Sequence, residues 1–188
     1  MDAQAQQILL DVARAAINSA TQGGPGQSAS VKDQPPPELQ QARGAFVTLH
    51  DQGGELRGCM GTTQPRDPLI QVVAKMAAAA ALQDPRFPPV RPEEVETLGL
   101  EVSVLSPPEP LDDLKSVKIG THGLVAEGRG RRGLLLPQVA SERDWDVQTF
   151  VSHTCLKAGL PQNAWQDEDV DLFCFRSEVF SETQDLSA

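Results

Sequence analysis

Prolines divide this chain before any other feature does. They fall in runs: PPP at Pro35–Pro37, four in DPRFPPVRP from Asp84 to Pro92, and three in PPEP from Pro107 to Pro110. Each run removes backbone donors and excludes helix, and no central strand tolerates one. The elements must therefore be short and fit between these breaks.

Residues 4 to 17 place Ile8, Leu9, Val12, Ala13, Ala16 and Ile17 at helical spacing. The stretch 18 to 37, NSATQGGPGQSASVKDQPPP, reads as a flexible loop within the domain, so the first helix must dock on the main body to be stable. GAFVTLHDQGGELRGCMG reads as strand, turn, strand, with Gly53 and Gly54 in the turn. Asp67 as N-cap and Pro68 as first helical residue predict a helix over 68–83, whose five-alanine run offers a smooth packing face.

Leu98 to Leu105 alternates as a strand and PPEP ends it. KIGTHGLV at 118–125 and GLLL at 133–136 suggest a hairpin across GRGRR. A last helix over 146–158 starts at Asp146, with Trp145 and Phe150 as a hydrophobic staple and Gly159 at its end. DLFCF at 171–175 closes the chain as a strand. Helices and strands mix without βα alternation, and the strands are not continuous apolar runs. The expected fold is α+β, a mixed, mainly antiparallel sheet with packed helices and a small subdomain. A length of 188 residues suits one domain over 1–188.

Acidic residues outnumber basic ones by 26 to 16, a net charge of −10, which opposes binding to phosphate backbones. GRGRR at 128–132 is the one local exception. No apolar run is long enough to span a membrane, and MDAQAQQILL lacks the pattern of a signal peptide. Cys59, Cys155 and Cys174 are odd in number and widely separated, which points to reduced thiols in a cytoplasm and gives no zinc spacing. The three histidines, His50, His122 and His153, give no metal signature, and no cofactor is implied.

The segment ELRGCMGT at 55–62 carries the chemistry. Alternation puts Glu55, Arg57 and Cys59 on one face and Leu56, Gly58 and Met60 on the apolar other. Cys59 thus sits among charges, and Arg57 would favour its thiolate. Gly58 and Gly61 would let a ligand approach the backbone. Cys155 and Cys174 fall on apolar faces and read as core. His122, in GTHGL, is the preferred base for Cys59, because the glycines near it suggest close approach. The candidate catalytic pair is Cys59 and His122; the candidate ligand-binding set is Arg57, Gly58, Gly61, Thr62 and Arg86.

ELRGCMGT resembles the signature of the AMMECR family. GAFVTL, DPRFPPV, LEVSVLSPPEPL, IGTHGLV, LLLPQVASERDWD and CLKAGLPQNAW continue the likeness in one order across nearly the whole chain. Met60 stands where the family commonly has isoleucine. The resemblance implies a mixed α/β body with a smaller subdomain and a cleft lined by residues 56–61. It supplies no biochemical activity. Family members are associated with a Memo-type protein and a radical SAM protein, which implies a shared modification pathway.

Three readings follow. Favoured is a small-molecule or partner-binding module, with glycines and arginine shaping a pocket that the thiol lines. The alternatives are a cysteine-dependent enzyme, with an oxyanion held by backbone N–H groups near Gly58 or Gly61, and a structural domain whose glycine-rich strand is tight packing.

Overall fold

The computed structural model describes residues 1–24, 35–63 and 66–182. The described residues form two compact units, one within 1–104 and 179–182 and the other within 105–178. Every resolved strand pairing described below is antiparallel, and helices pack on the strands, so the protein is α+β as the residue pattern implies.

In the first unit, α1 (Ala3–Thr21) begins at Asp2, whose carboxylate accepts the N–H of Ala5 at 2.7 Å. This helix continues four residues beyond the expected end. Ala20 is buried, and the Thr21 hydroxyl donates back to the Ile17 carbonyl, so Asn18–Thr21 are helix rather than loop. Residues 25–34 of the expected loop lie outside the described residues.

β1 (Ala45–His50) and β2 (Leu56–Thr62) form the expected hairpin. Its turn is held by Asp51, whose Oδ1 accepts the N–H groups of Gly53 and Glu55, with Gly54 at φ 81°. β3 (Gly99–Leu105) pairs with the other side of β1, so β1 is central and β2 lies at the edge. α2 (Leu69–Leu82) packs on α1, β1 and β2. It starts one residue later than expected: Pro68 holds the cap position, and Asp67 instead takes an ion pair with Lys75 at 2.6 Å. Ala45, Val47, Leu49, Leu100, Val102 and Val104 form the buried face under these helices. Ala74, Ala77, Ala80 and Ala81 supply the helix side of that contact, short side chains that let backbone approach backbone.

Arg14 of α1 caps the edge of this unit. Its guanidinium donates to the carbonyls of Val95 and Leu98 and pairs with Glu182. The proline-rich stretch after α2 stays free of helix until the 3-10 turn at Pro92–Thr97, as its prolines require.

The second unit holds β4 (Glu109–Pro110), β5 (His122–Gly128), β6 (Arg131–Leu135), α3 (Pro137–Ser141), α4 (Val147–Lys157) and most of β7 (Val170–Ser181). β5 lies between β6 and β7, and β4 pairs with β7 through Cys174 and Phe173. PPEP thus contributes a short strand as well as ending β3. The hairpin turn is narrower than expected. Arg129 and Gly130 occupy it with φ 54° and 69°, and the remaining residues of GRGRR belong to the strands. Arg129 is held there by ion pairs to Asp167 at 2.7 Å and Asp169 at 2.9 Å, so this arginine is matched by carboxylates.

α4 is bounded as the residues predict. Asp146 accepts the Thr149 N–H at 2.8 Å, Trp145 and Phe150 share one apolar cluster, and Gly159 follows the helix with φ 75°. β7 runs well past the expected 171–175. Residues 179–181 belong to the first unit, where Phe180 packs on the core and Glu182, just after the strand, donates its N–H to the Leu100 carbonyl. Among the described residues, no helix is long and apolar enough to cross a membrane.

Candidate functional site

Cys59 lies on β2 directly opposite Thr48 of β1. Its sulfur is half-buried and accepts a hydrogen bond from the Thr48 hydroxyl at 3.4 Å. Its backbone N–H points away from the hairpin and donates to Asp84 Oδ2 at 2.8 Å. An edge strand exposes such donors, and here a carboxylate takes the place of a neighbouring strand.

Asp84 is the residue the sequence reading missed. Its side chain is only 2% exposed. Both oxygens are used: Oδ1 accepts from the Arg86 N–H and Nε, and Oδ2 accepts from Arg86 Nη2 at 2.7 Å and from Cys59. The Arg86 guanidinium, joined by these backbone donors, holds the Asp84 carboxyl far below the usual carboxylate range against the opposing effect of burial. The signal was the Asp-Pro dipeptide, because an aspartate before proline commonly bonds the N–H two residues on. Arg86 is raised in turn by Asp84, and its outer face stays open, with the side chain 54% exposed and the guanidinium 5.4 Å from the Phe87 ring centre.

Arg57 does not serve the thiol. The register slips between Leu49 and His50, with Leu49 opposite Gly58 and His50 opposite Leu56, and this leaves Arg57 as an extra residue in β2. Its guanidinium donates to Glu94 Oε1 at 3.2 Å and to the Pro88 carbonyl at 2.9 Å. Glu94 also accepts the Arg91 N–H, which is the leading reason its carboxyl is lowered. The same slip leaves Leu56 39% exposed, whereas Met60 packs on the core.

The glycines are packing positions on their side-chain side. A Cβ at Gly58 would overlap the Ala80 carbonyl oxygen of α2, and one at Gly61 would overlap the Phe46 ring. Protein atoms thus fill the space that the sequence reading left for a ligand. Thr62 closes β2 opposite Ala45.

His122 belongs to the second unit and opens β5 opposite Arg176. It is buried, and its Nδ1 accepts the Lys118 N–H at 3.3 Å, which places the ring proton on Nε2. Burial, then Arg176 and Lys118, push its pKa down, while Glu109 opposes them. The adjacent Gly123 makes room for the Phe175 ring. Cys155 is fully buried, and burial raises its thiol; Cys174 is half-buried against the apolar cluster of Phe150 and Val151. His153 stacks on Trp145 with ring centres 4.0 Å apart. Among the described residues, no group of three or more His, Cys, Asp or Glu is arranged to hold a metal ion.

The chain is similar to known proteins over most of its length. A protein of Methanothermobacter thermautotrophicus is 43% identical over 180 residues, covering 93% of this chain and 92% of its own. Protein MJ0810 of Methanocaldococcus jannaschii is 45% identical over 156 residues, covering 79% of this chain and 78% of its own. The crystal structure of the uncharacterized protein PH0010 from Pyrococcus horikoshii matches with a TM-score of 0.77 at 39% identity, covering 97% of this chain and 94% of that one. The profile of the AMMECR1 family matches residues 10–180, so the chain belongs to the AMMECR1 family.

Proposed function

We propose that this protein is a small-molecule or partner-binding module in a modification pathway, with Cys59 lining its site. One observation carries the reading: the buried Asp84 carboxylate ties the Cys59 backbone and the Arg86 guanidinium together. Burying a carboxylate is costly unless its partners are well placed, and here the arrangement holds a half-buried thiol beside a half-exposed cation. Such a pair lines a ligand site well. The free outer face of Arg86 suits a carboxylate or phosphate group.

Binding is favoured over cysteine catalysis by the thiol's own partner. Thr48 donates to the sulfur, and a neutral hydroxyl is not a general base. The other candidate, His122, uses Nδ1 to accept from its own turn. Family association makes Memo-type and radical SAM proteins the partners to test. Three unbridged cysteines suit a reducing cytoplasm.

The test is iodoacetamide labelling of the native protein, read by mass spectrometry at each cysteine. Cys59 is expected to react faster than Cys155 and Cys174, because reactivity follows exposure as well as thiolate fraction. If Cys59 stays unlabelled until the protein unfolds, the site does not exist and tight packing explains the strand.

A further inference from the structure

The register of the first unit extends the Cys59 site across the sheet. Thr48 is opposite Cys59 on one side and opposite Glu101 on the other. Directly opposed residues share a face, with Cβ atoms about 4.5–5.5 Å apart. Cys59, Thr48 and Glu101 therefore form one row across three strands. His50, two residues along β1, lies on the same face. The other face carries Val47 and Leu49, buried in the apolar core.

His50 and Glu101 also line a cavity of about 320 Å³, together with Asp51, Ser181 and Glu182. The charges here are unevenly matched. Glu182 is paired with Arg14, and Asp51 accepts two backbone N–H groups of its own turn. Among the described residues, neither the Glu101 carboxylate nor the His50 ring has a hydrogen-bond or ion-pair partner. Next to Cys59, the Arg86 charge is matched by Asp84. The unmatched charge along the row is thus the Glu101 carboxylate, at the cavity end.

We propose that this row is a single binding site for a small ligand bearing a protonated amine. The ammonium group sits in the cavity against Glu101, and the rest of the ligand extends over Thr48 to the Cys59 sulfur. His50, on the cavity wall, supplies a further hydrogen-bonding group to the ligand. This assignment rests on the reading of Cys59 as a binding-site thiol and names the ligand class for it.

Two alkylating reagents test it on the full-length protein. 2-Bromoethylamine is cationic and iodoacetamide is neutral, and both form a thioether with an accessible thiolate. The ratio of their rates at Cys59 is compared with the same ratio for N-acetylcysteine amide, which carries no carboxylate. It is expected to be roughly five-fold higher at Cys59, the size of attraction that one carboxylate exerts at this range in partly wet surroundings. Glu101→Gln, isosteric and on a half-exposed face, should return the ratio to that of N-acetylcysteine amide with the melting temperature unchanged. Molar salt should do the same in the parent protein.

A normal ratio at a reactive Cys59 overturns the amine site alone. A raised ratio that survives Glu101→Gln also overturns it, because the cause is then the overall charge of −10. Failure of both reagents to reach native Cys59 overturns this site and the binding-module reading together.

Discussion

The Asp84 carboxylate accepts the backbone N–H of Cys59 at 2.8 Å, and it does so from a loop that follows α2 rather than from a neighbouring strand. This bond ties the edge of the sheet to the proline-rich stretch. The same carboxylate holds the Arg86 guanidinium, so three pieces of the site depend on one buried group.

Removing that group should loosen all three. Asp84→Ala leaves the Cys59 N–H without its acceptor and Arg86 without its partner. Hydrogen bonds to a charged group are each worth about 1.5–3 kcal/mol, so a loss of about 2–4 kcal/mol is expected. Urea unfolding measures it, and Asp84→Asn, which keeps one acceptor oxygen, should lose less. A change below half a kilocalorie in both variants would show that the carboxylate is not structural.

Acid should find the same group. The folded pKa of Asp84 lies below its unfolded value of about 3.9, so its contribution is fully present above that pH. It is lost as pH falls from about 4 toward the folded value. Urea midpoints between pH 2 and 5 should therefore fall more steeply for the parent than for Asp84→Asn. Parallel slopes would contradict the depressed pKa.

His122 gives a second pH window of the same sign. Its folded pKa is lowered, first by burial and then by Arg176 and Lys118. The unfolded chain thus binds the proton more readily, and stability present above about pH 6.5 is lost as pH falls through the folded value. The ring resonances of His122 should titrate below those of a model peptide. A titration midpoint at or above 6.5 would mean that the ring is not buried as neutral imidazole.

Gly58→Ala should act through packing. The new methyl group would meet the Ala80 carbonyl oxygen, which belongs to a helix backbone and cannot swing aside. Overpacking of this kind costs about 1–3 kcal/mol. Gly54→Ala should cost about 1 kcal/mol for a different reason, since its space is open but its φ is 81°. Melting temperatures of the two variants, with Cys59 labelling rates beside them, separate the effects: only Gly58→Ala should change the thiol's reactivity.

What could be read from residues alone was local. Asp146 and Gly159 bound α4, and Gly53 and Gly54 turn the first hairpin, because caps and turns are made by groups within a few positions of one another. The proline runs likewise mark their breaks by covalent geometry. The thiol's surroundings were not local. Arg57 and Cys59 are two residues apart, yet a slipped register sends Arg57 to Glu94 and Pro88, while Asp84, 25 residues away, reaches Cys59. The space beside Gly58 was legible only as an absent side chain; whether ligand or helix fills it depends on where α2 packs. The row of Cys59, Thr48 and Glu101 joins three separate strands. Alternation assigns each residue a face of its own strand, and only the pairing register decides which residues stand side by side.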